Sequence, residues 1–431
     1  MKTIIMAGGK GTRISSISAE IPKAMLPIAG KPVLQHQLEC LAGQGYRDIL
    51  IVTGHLGEAI HDYFGNGRTF GVCIEYYHEE KPLGTAGSLI GLKDRLTEDF
   101  LLINGDLLFD VDLKRFEAFH HSKKALATLF AHPNDHPFDS EIIIVDSDSR
   151  VTGWLDRTNR SGSYKNLVNA GIHILSPRLF SGKEKVDKLN LDRDLLIASL
   201  SSGKIFAYNS PEYVKDMGTP KRYEEVCNDY CSGKVVARNL CNKQKAIFLD
   251  RDGTINEYKG LVTKPELLSL IEGSAQAIAQ INNSGYLAIL ITNQPVIARG
   301  DCTFAQLGEI HNRLEYLLGE QGAYLDAIYF CPHHPDKGFD GERIEYKIDC
   351  DCRKPKPGMI LQAAQDFNID LKQSFMVGDD VKDVLAGQAA GCQTAFLLSG
   401  KPAHGPVQSP VYKDLPEFVE NIMKREGRTT C

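Results

Sequence analysis

Short apolar stretches that alternate with amphipathic helical ones constrain this chain more than any other feature. Three such stretches in its first part run into glycine-bearing turns: TIIMAG, DILIVTG and FLLINGD. Strands that alternate with helices pair in parallel, because each helix carries the chain back across the sheet. Four further strand-like stretches follow with only short connections: ALATLFAH, SEIIIVD, VTGWL and VNAGIHIL. They predict an antiparallel or mixed extension of that sheet.

The alternation restarts at KAIFLD, after the polar stretch NLCNKQ. A chain of 431 residues is too long for one hydrophobic core, because single cores stop growing at about 250–300 residues. We therefore predict two α/β domains, at residues 1–235 and 245–425. Both are predicted to be doubly wound, and the first to be Rossmann-like with a mixed sheet.

Composition excludes several classes of protein. The net charge of −6, without runs of Lys or Arg, is not that of a nucleic-acid-binding protein. The longest apolar runs fall short of the roughly 20 residues that a membrane helix needs. The first apolar run, in MKTIIMAGGKGTR, is broken by glycines and so predicts a strand instead of a signal peptide. We expect a cytoplasmic protein with reduced thiols, and composition leaves open whether it is a homo-oligomer.

A glycine-rich turn, AGGKGTR, follows the first strand directly. Glycines let backbone N–H groups approach phosphate oxygens, and Arg13 adds positive charge. The turn fits neither the Walker loop nor the dinucleotide fingerprint. A plain tight turn remains the alternative. A second glycine turn begins at Gly84, and Asp106 and Asp216 end strands where a magnesium ion on a triphosphate would be held.

Six stretches occur in the order found in sugar-1-phosphate nucleotidyltransferases: GGKGTR, PKAMLPIAGKP, PLGTAGSL, NGD, VNAGI and KDMGTP. Residues 1 to 230 therefore resemble that family. The resemblance implies that Mg²⁺ binds Asp106 and Asp216 and that the sugar meets Asn169 and Gly171. It also implies a nucleotide site that includes two catalytic cations, Arg13 and Lys23, and is made of Gly8, Gly9, Gly11, Thr12, Arg13, Lys23, Gly84 and Gly105.

One departure from the family lies in LDRTN, where Glu-Lys-Pro usually precedes the sugar-binding strand. Arg157 occupies this region, and its forked guanidinium group is expected to bind a phosphate. Arg is not equivalent to the Lys that the family usually has there.

Two carboxylates follow the strand KAIFL, at Asp250 and Asp252. One can attack phosphorus while the other protonates the leaving oxygen and then activates water. An acidic turn or a calcium loop is the alternative from these residues alone. With LITNQ, CRKPKPGM and VGDDVKD they resemble the haloacid dehalogenase superfamily of phosphatases. The resemblance makes Asp250 the nucleophile and Asp252 the acid and base. It implies phosphate contacts at Thr292, Asn293, Arg353 and Lys354, and Mg²⁺ at Asp250, Asp379 and the Asp252 carbonyl.

Three cysteines and a histidine occur in two close pairs, Cys331 with His333 and Cys350 with Cys352. They suit a closed tetrahedral zinc site, with a disulfide or buried thiols as alternatives, and disulfides are rare in the cytosol. With CPHHP and CDCRKPKPGM, the chain resembles heptose bisphosphate and histidinol phosphate phosphatases. In those enzymes a zinc ion holds the corresponding loop. Pro295 departs from that group and lacks a backbone donor.

Together the resemblances imply a bifunctional enzyme. The second domain would remove the 7-phosphate of D-glycero-α-D-manno-heptose 1,7-bisphosphate, and the first would transfer GMP from GTP to the heptose 1-phosphate. The choice of GTP comes from the resemblance alone. The alternatives are a histidinol phosphatase fused to a transferase for another sugar, such as mannose 1-phosphate, and a phosphatase with a nucleotide-sensing regulatory domain.

Overall fold

The computed structural model describes residues 1–9, 20–156, 160, 162–183, 188–338, 340–400 and 408–427. The chain divides into two compact units. Unit 1 comprises Met1–His132, Ile143–Leu155 and Asn169–Asn239, and unit 2 comprises Pro133–Ile142, Asp156–Val168 and Leu240–Cys431. The domain limits 1–235 and 245–425 stay a prediction. None of the described helices is both long enough and apolar enough to cross a membrane.

The strands of unit 1 follow from the apolar stretches of its sequence. They are β1 (Thr3–Met6), β2 (Pro27–Ile28), β3 (Lys31–Pro32), β4 (Asp48–Thr53), β5 (Cys73–His78), β6 (Phe100–Asn104), β7 (Leu107–Asp110), β8 (Ala127–His132), β9 (Ile142–Val145), β10 (Val151–Leu155), β11 (Val168–Leu175), β12 (Ile205–Asn209) and β13 (Tyr213–Asp216). Nine of these described strands form one sheet, in which β10-β9-β11-β6-β1-β4-β5 is the main order and β8 joins β11 to β12.

The pairing of these strands confirms the predicted mixed sheet. β1 is parallel to both β4 and β6, whereas β11 is antiparallel to β6. β1 and β6 therefore end side by side, and the turns that follow them face the same edge. Outside this sheet, β7 and β13 pair antiparallel, so that Asp216 lies opposite Leu107.

Helices cover the sheet of unit 1 because their apolar faces match its buried strands. They are α1 (Val33–Gly43), α2 (Gly57–Phe64), α3 (Gly84–Gly91), α4 (Leu113–Lys123), α5 (Pro220–Cys231) and α6 (Lys234–Ala237). Leu34 and Leu38 of α1 and Phe116 of α4 share one hydrophobic core with Ile5 and Ile51 of the strands. Such interlocked burial holds the ends of β1 and β6 in fixed places.

Unit 2 has a six-stranded sheet of order β16-β15-β14-β17-β18-β19 within its described residues, and every pairing in it is parallel. The strands are β14 (Lys245–Leu249), β15 (Tyr286–Asn293), β16 (Ala327–Cys331), β17 (Phe375–Gly378), β18 (Gln393–Leu397) and β19 (Val411–Tyr412). The helices are α7 (Ser274–Asn282), α8 (Phe304–Gly319), α9 (Gly358–Asp366), α10 (Val381–Ala390) and α11 (Leu415–Gly427). The predicted doubly wound α/β class is confirmed.

The central strands of unit 2 are apolar throughout because helices cover both faces. Ile247 and Leu249 of β14 pack in one core, and Ala246 and Phe248 pack in another. The carboxyl ends of β14, β15 and β17 lie together, and polar residues follow each of them. The predicted phosphatase residues thus meet at one edge of this sheet.

Candidate active sites

A cavity of about 310 Å³ opens at the carboxyl ends of β1 and β6 in unit 1. It brings together six of the predicted transferase residues: Gly8, Gly9, Lys23, Gly84, Gly105 and Asp106. The remaining lining includes Glu79, Thr85 and Asn104. The predicted residues Gly11, Thr12, Arg13 and Arg157 lie outside the described residues.

Two of these glycines are required by close backbone contacts. A Cβ on Gly105 would lie 2.9 Å from the Met6 carbonyl oxygen, to which the Gly105 N–H donates at 3.0 Å. Gly84 has a φ of +71°, and a Cβ there would lie 2.4 Å from the Leu189 carbonyl oxygen. Any larger residue would push these turns apart and change the cavity.

Lys23 and Asp106 line one end of the cavity, and Asp216 lies near Asp106 outside the lining. Lys23 Nζ lies 3.4 Å from Asp106 Oδ2. Desolvation raises the pKa of Asp106, Lys23 opposes the rise, and the nearby Asp216 carboxylate adds to it. Asp216 is held by Arg222, whose Nη1 lies 2.9 Å from Oδ2. Two neighbouring carboxylates whose repulsion is only partly offset suit a hard cation such as Mg²⁺.

The predicted sugar residues lie on β11. The Asn169 amide donates to Asp192 Oδ1 at 3.1 Å and its Oδ1 accepts the Gly171 N–H at 3.1 Å. Gly171 has a φ of +80°, and a Cβ there would lie 2.5 Å from Nδ2 of Asn104, a cavity residue. Gly171 therefore adjoins the cavity wall, whereas Asn169 is not among the lining residues.

Lys354 is the centre of the phosphatase residues in unit 2. Its side chain is 4% exposed, and Nζ lies 2.6 Å from Asp250 Oδ1 and 2.6 Å from Asp383 Oδ1. Nζ also donates to the carbonyl of Ile291 at 2.7 Å. All three ammonium donors are thus used, which fixes the charge in place. The two carboxylates raise the pKa of Lys354 against the effect of burial.

The two carboxylates that contact this lysine lie beside a third: Asp250, Asp379 and Asp383 offer oxygens within 4.8 Å of one another. Burial raises the pKa of Asp383 to about 7; Lys354 lowers it, and the charges of Asp250 and Asp379 raise it further. One lysine does not balance three carboxylates, so the donor set fits an added Mg²⁺. Asp379 is enclosed by backbone, since a Cβ on Gly253 would lie 2.4 Å from its Oδ2.

Asp252 points to different partners from Asp250. Arg251 Nη2 lies 3.0 and 2.8 Å from its two carboxylate oxygens, and Asn256 Nδ2 donates to Oδ1 at 3.0 Å. Gln294 Nε2 donates to Oδ2 at 3.3 Å and to Thr292 Oγ1 at 2.9 Å. Thr292 and Asp252 are therefore joined through one amide, in agreement with a shared site.

The segment that carries Lys354 is tied to the end of β15. Asn293 Nδ2 donates to the Lys354 carbonyl and Lys354 N–H donates to Asn293 Oδ1, both at 3.0 Å. Arg353 Nη1 donates to the His333 carbonyl at 3.0 Å. The predicted phosphate contacts Thr292, Asn293, Arg353 and Lys354 thus lie on adjoining segments.

The four predicted zinc ligands form one cluster of free thiols and an imidazole. Cys352 Sγ lies 3.2 Å from both Cys331 Sγ and Cys350 Sγ, and the last two are 3.5 Å apart. His333 Nδ1 lies 3.7 Å from Cys331 Sγ and 3.4 Å from Cys352 Sγ. Ligands about 2.0–2.3 Å from a tetrahedral zinc lie at nearly such separations from each other, so the cluster fits Zn²⁺. The three sulfur atoms are too far apart for a disulfide bond, and all three cysteines are free.

Sequence reasoning assigned no role to four residues: Glu79, Arg222, Arg251 and Asp383. Arg222 and Asp383 lie in the first turns of α5 and α10, and their contacts depend on how those helices dock. Asp383 had one signal, its place in VGDDVKD four residues beyond Asp379. Glu79 directly follows β5 and reaches the cavity only in the folded unit.

Comparison with protein families agrees with the resemblances predicted for both halves of the chain. The family model described as nucleotidyl transferase matches residues 2–233, and the one described as HAD-hydrolase-like matches residues 351–422. These matches confirm the two predicted resemblances.

Individual proteins extend the comparison. D-glycero-beta-D-manno-heptose-1,7-bisphosphate 7-phosphatase of Pasteurella multocida is 48% identical over 161 residues, which cover 37% of this chain and 84% of that protein. The enzyme of that name from Haemophilus influenzae is 45% identical over 188 residues, 42% of this chain and 99% of that protein. The crystal structure of HddC from Yersinia pseudotuberculosis is 26% identical, covers 53% of this chain and 99% of that one, and has a TM-score of 0.47.

Proposed function

This chain belongs to the nucleotidyl transferase family and, in its C-terminal half, to the heptose-1,7-bisphosphate 7-phosphatases, and we propose that it makes a nucleotide-activated heptose in two steps. The C-terminal half removes the 7-phosphate of D-glycero-α-D-manno-heptose 1,7-bisphosphate. The N-terminal half transfers GMP from GTP to the heptose 1-phosphate and releases pyrophosphate. The relatives' names specify the β anomer, so the α anomer is part of the proposal.

One observation carries this proposal: each unit has a lysine–carboxylate pair at the carboxyl end of a strand in its sheet. In unit 1 the pair is Lys23 with Asp106, and in unit 2 it is Lys354 with Asp250. Such a pair supplies a cation for phosphate and a carboxylate for a metal or for attack on phosphorus. The product of one chemistry, a sugar 1-phosphate, is the acceptor that the other needs.

In the phosphatase reaction, Asp250 attacks the 7-phosphorus and the bond from phosphorus to the sugar oxygen breaks. Asp252 gives its proton to that oxygen, then takes a proton from the water that cleaves the aspartyl phosphate. The Thr292 hydroxyl donates to a phosphoryl oxygen, and the fixed positive charge of Lys354 attracts the phosphoryl group. Mg²⁺ held by Asp250 and Asp379, with Asp383 close by, would neutralise phosphate charge.

In the transferase reaction, an oxygen of the heptose 1-phosphate attacks the α-phosphorus of GTP in line, and the bond to pyrophosphate breaks. The backbone at Gly8 and Gly9 and the Lys23 ammonium stabilise charge on the phosphates. Asp106 and Asp216 would hold Mg²⁺, which shields the triphosphate from the approaching anion.

Glu79 supports GTP as the donor. It lines the same cavity as Gly8 and Gly84, and its Oε1 accepts a hydrogen bond from the Ser88 hydroxyl. Guanine presents two adjacent N–H donors, which one carboxylate can accept together. Uracil and thymine present a single N–H between two carbonyl oxygens, which a carboxylate would repel. Glu79 therefore favours guanine over uracil and thymine, and the sequence reasoning had not found a residue that reads the base.

The Cys331 cluster is proposed to hold a structural zinc. Cys352 directly precedes Arg353 and Lys354, so a zinc there would fix the start of the segment that carries both cations. Arg353 also reaches back to the His333 carbonyl. The zinc would thereby set where Lys354 stands beside Asp250.

The test supplies each anomer of heptose 1,7-bisphosphate with GTP, ATP, UTP or CTP and follows phosphate, pyrophosphate and nucleotide sugar. We expect phosphate without any nucleotide, and pyrophosphate with GDP-heptose only when GTP is present. The Asp250→Asn variant should lose phosphate release and keep transfer to supplied heptose 1-phosphate, and Asp106→Asn should do the reverse. Phosphate release with no nucleotide sugar from any triphosphate would favour a regulatory first half, and preferential hydrolysis of histidinol phosphate would favour the histidinol phosphatase alternative.

A further inference from the structure

Arg251 separates Asp250 from Asp252 in the sequence, and its side chain has no exposed surface. It is the largest fully buried side chain among the described residues. Its backbone carbonyl accepts the N–H groups of Ile255 and Asn256 at 2.9 and 3.1 Å. The turn after β14 therefore folds tightly around a charged group from which water is excluded.

One edge of the guanidinium faces Asp252. Nη2 donates to both carboxylate oxygens, at 3.0 and 2.8 Å, and Nε donates to Oδ1 at 3.2 Å. A planar guanidinium that contacts two oxygens fixes the plane of the carboxyl group as well as its position. The Asp252 side chain is 19% exposed, so the group stays accessible while it is held.

The other edge of the guanidinium is buried without a hydrogen-bond partner in the described part of the chain. Nη1 of Arg251 has no hydrogen-bond partner among the described residues. His311 lies close enough for the charge of Arg251 to act on it; burial first and that charge second lower the pKa of His311 to about 3. The imidazole is therefore neutral at physiological pH and offers no counter-charge.

This arrangement is a poor device for stability. The desolvation of a buried ion pair offsets most of its attraction, and an unpaired buried N–H adds a further cost. An apolar side chain of similar volume would fill the same space without either cost. The role of Arg251 is therefore better sought in what it does to Asp252.

We propose that Arg251 is a positioning residue for the phosphatase reaction, which fixes the Asp252 carboxyl group in line with the leaving oxygen of the substrate. The inference rests on the proposed phosphatase function. Its action belongs to the step in which the Asp250 carboxylate bonds to phosphorus, the phosphorus–oxygen bond breaks, and the Asp252 proton moves to the departing oxygen. A sugar alkoxide needs that proton in order to leave, whereas a nitrophenolate leaves without it.

The test compares two substrates in the first chemical step. Single-turnover release of heptose 1-phosphate from the bisphosphate is measured beside the burst of nitrophenolate from p-nitrophenyl phosphate. In Arg251→Met, which removes the fork, we expect sugar release to slow about 100-fold and the nitrophenolate burst to change about threefold or less. Arg251→Lys, which keeps charge but not the planar fork, should fall between the wild type and Arg251→Met. The remote Arg313→Met, on α8, is the control and should alter neither rate.

Two outcomes would overturn the inference. If Arg251→Met slows both first steps by the same factor, Arg251 only maintains the fold; if it slows neither, the orientation of Asp252 does not depend on it. The nitrophenolate burst itself reports whether each variant is folded, and Arg251→Lys covers the case in which Arg251→Met is not. Failure of the proposed function would look different, because the wild-type chain would then release no sugar monophosphate.

Discussion

Replacement of Lys354 by Met tests whether three carboxylates depend on one buried ammonium. Methionine has a similar length and no charge, and it would leave Asp250, Asp379 and Asp383 without their cation. At 2.6 Å and an effective dielectric constant of about 20, each of the two ion pairs has a Coulomb attraction of about 6 kcal/mol. Desolvation offsets most of that attraction, and removal of one partner from a buried pair costs about 3–5 kcal/mol.

The magnitude translates into a large thermal effect. For a unit of this size, 1 kcal/mol corresponds to about 2–4 °C in melting temperature, so the unit 2 transition should fall by about 10 °C in metal-free buffer. Mg²⁺ should restore more of that loss in Lys354→Met than it adds to the wild type, because the cation replaces the missing charge in the folded state only. Phosphate release should fall at least about 100-fold, since the variant lacks the positive charge of Lys354 that stabilises the transferring phosphoryl group. Pyrophosphate release from GTP and supplied heptose 1-phosphate should stay unchanged.

Differential scanning calorimetry with and without Mg²⁺ measures the stability effect, and phosphate and pyrophosphate assays measure the two activities. Lys356→Met is the matched control, because that lysine lies two residues away, is 41% exposed and pairs with the exposed Asp349. An exposed pair contributes about 0–1 kcal/mol, so this variant should melt and react like the wild type. If Lys354→Met melts at the wild-type temperature without metal, or if Mg²⁺ stabilises both proteins equally, the carboxylates do not depend on this charge and our reasoning is wrong.

Three further predictions concern other parts of the chain. Gly171→Ala should slow pyrophosphate release at least about tenfold and spare phosphate release, because alanine at positive φ costs about 1–2 kcal/mol and its Cβ would displace Asn104 from the cavity wall. Cys350→Ser should lower the zinc content well below that of the wild type in elemental analysis and weaken only the phosphatase. Burial raises the pKa of Glu315 to about 7 from an ordinary 4.5; the folded state then binds more protons between these values, so stability falls as pH rises through that range. Glu315→Gln should remove this contribution, up to about 3 kcal/mol, from the fall in the free energy of unfolding between pH 5 and pH 8, measured with urea.

The sequence was a good guide wherever a local pattern decided the structure. Apolar runs bounded by glycine turns located β1, β6, β14 and β17, because burial and turn chemistry act over a few residues. Residues directly after those strands, such as Asp106 and Asp250, were found for the same reason. Their side chains meet because parallel strands end at a common edge.

Contacts that depend on docking were not predictable. Asp383 reaches Lys354 only because α10 begins beside β17, and Glu79 reaches the cavity only after β5 has joined the sheet edge. Residues 133–142 and 156–168 belong to unit 2 although the family model for the transferase includes them. No local sequence pattern predicts which unit these residues join, since that depends on contacts between segments far apart in the sequence.

The strand order of unit 2 has a consequence for the synthesis of the protein. β14 pairs on one side with β15, which follows soon after it, and on the other with β17, which begins only at residue 375. At about 5–20 residues per second, the ribosome needs several seconds or more between these strands. During that interval one edge of an almost wholly apolar strand has no partner, which is the condition that promotes aggregation of nascent chains. We expect chaperones to be needed most while residues 250–375 are being translated.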